Sequence, residues 1–97
     1  MVAKFHVRLR KSSQPTKKFA VKVGGRTIHF GDYRYEDYTM HKNASRKARY
    51  VARHAARENW KDPLSAGFWS KNLLWNKPSL MASIRDTEKK FGLRIQT

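Results

Sequence analysis

The chain has 97 residues, of which 39% are hydrophobic and 12% aromatic, so it can fill the core of one small domain but not of two. Its 22 Lys and Arg residues outnumber 7 Asp and Glu, and the formal net charge is +15. A domain that repels itself this strongly favours a polyanion or an acidic protein surface as its partner. The absence of Cys excludes disulfides, thiolate zinc ligands and cysteine nucleophiles. No apolar run approaches the ~20 residues of a membrane-spanning helix.

The first third of the chain has the alternating pattern of a half-buried antiparallel sheet. Apolar and basic residues alternate from Ala3 to Arg10, and the alternation resumes from Phe19 to Val23 and from Ile28 to Phe30. Gly24-Gly25 separates the last two runs and predicts a two-residue hairpin turn. We therefore predict a three-stranded antiparallel meander over residues 1–31. This segment contains no Asp or Glu, so its outer face is expected to be basic.

Residues 32–43 show neither periodicity and are predicted to form a loop. Asn43 can cap a helix near 44–58, and two further helices are expected near 64–76 and 79–91, the last capped by Ser79 and ended by Gly92. In the first of these helices the apolar residues that we expect to pack against the sheet are Ala44, Ala48, Val51, Ala52 and Ala55. The C-terminal tail, residues 92–97, either adds an edge strand or stays unpaired.

These elements predict an α+β fold in a single domain spanning residues 1–97. The sheet is expected to be three-stranded and antiparallel, with about three helices packed mostly on one of its faces.

The arginines of the 44–58 helix form the strongest functional pattern. Arg46, Arg49, Arg53 and Arg57 lie within one arc of the helix, with Lys47 beside them. Guanidinium groups match the geometry of phosphate, so four on one ridge can follow a nucleic-acid backbone. The alternative is a charged face that is merely solvated.

The predicted polyanion-binding surface extends from this helix onto the sheet. Its members on the exposed sheet face are Lys4, Arg8, Arg10 and Lys22. No base-reading motif is present, so contact with DNA or RNA is expected to involve the phosphate backbone without sequence preference.

The aromatic residues between 60 and 75 allow two interpretations. They fill the core, or some of them form an exposed anchor for another protein, since Trp dominates interface hot spots. The candidate interface residues under the second interpretation are Phe68, Trp69 and Trp75.

Catalysis and metal binding have little support. No two of the four His residues are three or four positions apart, and no carboxylate stands in a recognisable relation to a nucleophile. We expect a protein without enzymatic activity, cofactor or bound metal.

Several short motifs carry a resemblance to a known family. They include Thr27-Ile28-His29-Phe30-Gly31, Asp37-Tyr38-Thr39, Arg53-His54, Glu58-Asn59-Trp60, Ala66-Gly67-Phe68-Trp69-Ser70 and Leu74-Trp75-Asn76-Lys77-Pro78. Through them, residues 27–91 resemble a family of small basic proteins of unknown function encoded by large double-stranded DNA viruses of eukaryotes, the phycodnavirus and mimivirus relatives.

The resemblance implies a viral protein and assigns no catalytic residue. The function that it favours is a structural virion component, a minor capsid or core protein whose basic surface contacts acidic capsid proteins or the packaged genome. Such a protein would be located in the virion, and in the host cytoplasm or nucleus during assembly. The alternative is a free DNA- or RNA-binding protein without sequence preference.

Overall fold

Four strands form one mixed sheet in the order β3-β2-β1-β4. The strands are β1 (Phe5–Lys11), β2 (Lys17–Val23), β3 (Arg26–Asp32) and β4 (Leu93–Gln96). Strands β1, β2 and β3 pair antiparallel, as the meander predicted. The structure is a computed structural model that describes residues 5–97, except for the side chain of Phe5. The predicted start of the first strand at Ala3 lies outside the described residues.

The C-terminal residues form the fourth strand rather than a free tail. Strand β4 pairs parallel to β1, with Leu93 opposite Phe5 and Ile95 opposite Val7. Gly92 has a φ of 67°, which lets the chain turn from the last helix into this strand. The predicted antiparallel meander is therefore confirmed for β1, β2 and β3, but the sheet has a fourth strand, parallel to β1, that the three-stranded prediction lacked. The edge-strand alternative for residues 92–97 is the one that the fold adopts.

The sheet has one apolar face and one polar face. Val7, Leu9 and Val21 are buried under the helices, whereas Arg8 and Lys22, which pair with each other across β1 and β2, are exposed. The alternation of side chains along the strands separates the two sets. Ala20 of β2 is an exception, since it pairs with Arg10 on the polar face and is nevertheless buried.

Residues 5–97 form four helices and one π-helical turn, and the last two helices together with the turn pack against the sheet. These elements are α1 (Tyr38–His41), α2 (Ala44–His54), α3 (Ala66–Trp69), a π-helical turn (Ser70–Leu74) and α4 (Leu80–Phe91). The last predicted helix is confirmed, with Ser79 accepting a hydrogen bond from the Ala82 amide. The predicted 44–58 helix ends at His54, and the 64–76 helix continues from α3 into the π-helical turn. The predicted 32–43 loop contains the short α1, which Asp37 caps.

The core is built by α3, the π-helical turn and α4 against the sheet. Phe68, Trp69, Leu73 and Leu74 are buried there beside Phe30. None of the helices in residues 5–97 has the length and apolar character needed to cross a membrane.

Helix α2 does not pack through its alanines. Ala44, Ala48, Ala52 and Ala55 are all exposed, and the one buried residue of α2 is Tyr50. The expectation that the alanine stripe faces the sheet was wrong. A methyl group buries little area, whereas a tyrosine ring buries ~150 Å² or more, so Tyr50 determines which side of the helix turns inward.

Candidate functional site

A strongly basic region lies where β1, β4 and α4 meet. A shallow groove there is lined by Arg8 and Arg10 from β1, Arg94 from β4, and Arg85 and Lys89 from α4. Lys22 lies next to Arg8 on the same face of the sheet. We call these six residues the β1/β4 surface. Its cations project from strands and a helix that are fixed by the core, so their spacing is set by the fold.

The cations of the β1/β4 surface are not neutralised within the protein. All six are exposed, and no salt bridge in residues 5–97 involves any of them. Among the described residues that line the groove, the one acidic side chain is Glu88, whose Oε2 accepts a hydrogen bond of 2.9 Å from the Ile95 amide. That carboxylate therefore caps the backbone of β4 instead of pairing with a surface cation.

Sequence reasoning found half of this surface. Arg8, Arg10 and Lys22 lie exposed on the outer sheet face, as the alternation predicts. Lys4 lies outside the described residues. Arg85, Lys89 and Arg94 were missed because only the parallel pairing of β4 with β1 brings them beside the first strand.

The predicted arginine ridge of α2 is partly used for intramolecular contacts. Arg46 pairs with Glu36 at 3.3 Å, and half-buried Lys47 donates a hydrogen bond of 2.7 Å to the Asn76 carbonyl. In the part of the chain that the structure describes, Arg49, Arg53 and Arg57 are exposed and take part in no salt bridge.

Arg46, Arg49 and Arg53 line a second, more enclosed cleft of about 630 Å³, which we call the α2 cleft. Its other walls come from the ends of β2 and β3, the loop before α1, and α3. Four carboxylates also line it, namely Asp32, Glu36, Asp37 and Glu58. No described residue lines both this cleft and the β1/β4 groove. The helix arginines and the sheet cations therefore do not merge into the single basic surface that was expected.

The candidate interface aromatics have different positions. Phe68 and Trp69 are 1% and 0% exposed, which places them in the core and corrects their assignment to an interface. The Trp69 indole N–H donates a hydrogen bond of 2.7 Å to the Pro63 carbonyl, so its polar group is also satisfied internally. Trp75 is half-buried and stacks on Tyr50.

Several titratable groups at or near the α2 cleft have shifted pKa values. Hydrogen bonds from Arg34 lower the pKa of Asp32 to about 2. Burial, with a smaller effect of the Glu58 charge, raises the pKa of Tyr50 to about 12. Burial lowers the pKa of His41, and the neighbouring Arg46 adds to this effect. Residues 5–97 contain no group of three or more His, Asp or Glu placed to hold a metal ion.

Part of the chain is similar to a described family of proteins. Residues 7–54, from β1 through α2, match a family described as "Family of unknown function (DUF5754)". No curated protein and no solved structure matches the chain.

Proposed function

We propose that the protein binds the phosphate backbone of duplex nucleic acid through the β1/β4 surface, without sequence preference. The observation that carries this proposal is the set of six exposed cations on that surface, none of which has a salt-bridge partner in residues 5–97. When unpaired Lys and Arg on a rigid surface contact phosphates, counterions are released from the nucleic acid. This release gives strong binding that does not depend on sequence.

The chemistry of the surface favours a duplex over a single strand. Proteins that bind single strands stack the bases on aromatic side chains, each stack contributing about 1–3 kcal/mol. Among the described residues that line the β1/β4 groove, none is Phe, Tyr or Trp. Phosphates are therefore the groups of a nucleic acid that this surface is suited to recognise.

Salt-dependent binding to duplex DNA tests the proposal. The variant Arg8→Ser/Arg10→Ser/Arg85→Ser/Lys89→Ser is expected to reduce the slope of log K against log salt by about 3.6 units, since each of the four phosphate contacts contributes about 0.9. The matched control Arg49→Ser/Arg53→Ser/Arg57→Ser/Lys61→Ser removes the same charge from exposed positions outside the groove. It is expected to change the slope by less than about 1 unit. Equal slopes for the two variants would show that net charge alone, and not this surface, drives binding.

A structural virion component is the second candidate function, and it is based on the resemblance of residues 27–91 to proteins of large DNA viruses. In that setting the β1/β4 surface contacts either the packaged genome or an acidic capsid protein. The burial of Phe68 and Trp69 removes two residues that we considered as a capsid anchor, so the basic surface is left as the main contact. Mass spectrometry of purified particles, with separation of shell and core, tests this candidate.

A further inference from the structure

The α2 cleft contains cations that its own carboxylates do not neutralise. Three of the four carboxylates are paired with Lys or Arg: Asp32 with Arg34 at 2.8 Å, Glu36 with Arg46 at 3.3 Å and Asp37 with Lys18 at 2.6 Å. The fourth, Glu58, lies 3.5 Å from His54, which carries a charge only when it is protonated. The remaining cations of the lining are Lys17, Arg49 and Arg53. None of these three takes part in a salt bridge within residues 5–97.

These three cations come from two sides of the cleft. Lys17 begins β2, while Arg49 and Arg53 lie one helical turn apart on α2. Guanidinium groups spaced by four residues project from the same side of a helix, so both can reach one anion. A phosphate held between β2 and α2 would supply negative charge to these three cations, which have no salt-bridge partner in residues 5–97.

The cleft also has apolar walls that an inorganic anion would leave unused. Gly31, Leu74 and Ala66 contribute them, whereas the Glu58 carboxylate lies against Gly67. Tyr35 lies at the rim, where 65% of its surface is exposed. The Arg34 guanidinium lies over one face of its ring, 5.7 Å from the centroid, so the opposite face is the one that can stack on a planar group. A volume of about 630 Å³ falls within the range of small-ligand sites.

We propose that the α2 cleft binds a nucleoside monophosphate. The phosphate contacts Lys17, Arg49 and Arg53, the base stacks on Tyr35, and the sugar lies against the apolar wall. This site is separate from the β1/β4 surface, and the inference does not depend on the proposed function.

Titration with AMP, followed by NMR, tests the inference through the glycine amides. The chain has 5 Gly residues, of which Gly31 and Gly67 line the cleft while Gly24, Gly25 and Gly92 do not. We expect AMP to shift the amide signals of Gly31 and Gly67 and to leave the other three in place. Calorimetry with AMP, adenosine and inorganic phosphate then compares the parts of the ligand, and AMP is expected to bind at least about tenfold more tightly than either part.

Two variants locate the binding. Arg49→Gln/Arg53→Gln removes two exposed cations of the cleft and is expected to weaken AMP at least about tenfold. Arg8→Gln/Arg10→Gln, a matched control on the β1/β4 surface, is expected to leave AMP affinity unchanged. Ala66→Phe fills the cleft from α3 without changing its charge and is also expected to weaken AMP.

Four results would overturn the inference. They are the absence of AMP binding, equal affinity for AMP and inorganic phosphate, shifts at Gly24, Gly25 and Gly92 in place of Gly31 and Gly67, and loss of affinity in the Arg8→Gln/Arg10→Gln control.

Discussion

The Tyr50 ring lies parallel to the Trp75 indole, with their centroids 4.3 Å apart and their planes inclined by 2°. The other face of the Tyr50 ring stacks on His54, at 4.2 Å and 27°. Tyr50 is the one buried residue of α2, so this stack attaches the helix to the segment that follows the π-helical turn. It also sets the rotation of α2 about its axis, which places Arg49 and Arg53 in the lining of the α2 cleft.

The stack predicts that Tyr50→Ala strongly destabilises the protein. Truncation of a buried aromatic residue costs about 3–5 kcal/mol of the free energy of unfolding. Tyr50→Phe keeps the ring and loses only the hydroxyl, so it is expected to cost less than about 1.5 kcal/mol. Urea unfolding of both variants provides the measurement. If Tyr50→Ala proves as stable as Tyr50→Phe, the ring does not hold α2 in place.

Trp69 is expected to behave as a core residue. Its side chain is fully buried, so Trp69→Ala should cost about 3–5 kcal/mol and bring the protein close to unfolding. Tyr33, which is 59% exposed, provides the control: Tyr33→Ala should change stability by less than about 0.5 kcal/mol. Thermal denaturation distinguishes the two. A Trp69→Ala variant of native stability would return this residue to the list of interface candidates.

Gly31 and Gly24 form a matched pair for a test of steric contact. Both have positive φ, 81° and 60°, so alanine at either position has the backbone strain of the left-handed region, about 1–2 kcal/mol. A Cβ at Gly24 would meet no atom within 4 Å, whereas one at Gly31 would lie 2.7 Å from Cδ1 of buried Leu74. We therefore expect Gly31→Ala to cost about 1–3 kcal/mol more than Gly24→Ala in chemical denaturation. Equal losses of stability in the two variants would show that the Leu74 side chain moves aside without a cost in free energy.

His41 is expected to make stability depend on pH. Its Nδ1 accepts a hydrogen bond of 2.9 Å from the Asn43 amide, and its buried Nε2 has no hydrogen-bond partner. Protonation of Nδ1 would make two hydrogen-bond donors, this N–H and the Asn43 N–H, face each other. The lowered pKa of His41 in the fold agrees with this cost. A base with a lowered pKa contributes fully to stability above its unfolded value, here 6.5, and the contribution is lost as pH falls from there towards the folded pKa.

The comparison of unfolding free energies at about pH 7.5 and about pH 5.5 provides the test. The native protein should lose more stability over this interval than His41→Gln, in which the titrating group is absent. The quantity to compare is the change in the free energy of unfolding between the two pH values. The absolute stability is not compared, because the substitution also changes the contact with Trp75. Parallel losses in the two proteins would assign the pH dependence to other groups.

Binding to DNA is expected to be independent of sequence. Affinities for unrelated duplexes of equal length should agree within about tenfold, because phosphate contacts carry no sequence information. Competition between such duplexes at one fixed salt concentration measures this. A preference of about 10³ or more for one duplex would indicate base contacts that the β1/β4 surface does not provide.

The sequence by itself determined the local elements of this protein. Alternation in the first third specified three strands and their exposed cations, because side chains in a strand point to opposite faces in turn. Asn43, Ser79 and Gly92 marked helix ends at the expected positions, since capping is a hydrogen bond or a backbone angle within a few residues. The α+β class and the charge of the sheet face followed from these local rules.

The tertiary structure alone decided how the elements meet. The alanines of α2 have helical spacing, yet the Tyr50–Trp75 stack turns that helix the other way, because two aromatic rings bury more area than a row of methyl groups. Likewise, Arg85, Lys89 and Arg94 join the basic surface only because β4 returns to pair with β1. Both outcomes depend on contacts between residues distant in the chain, and no local pattern encodes the free energy of such contacts.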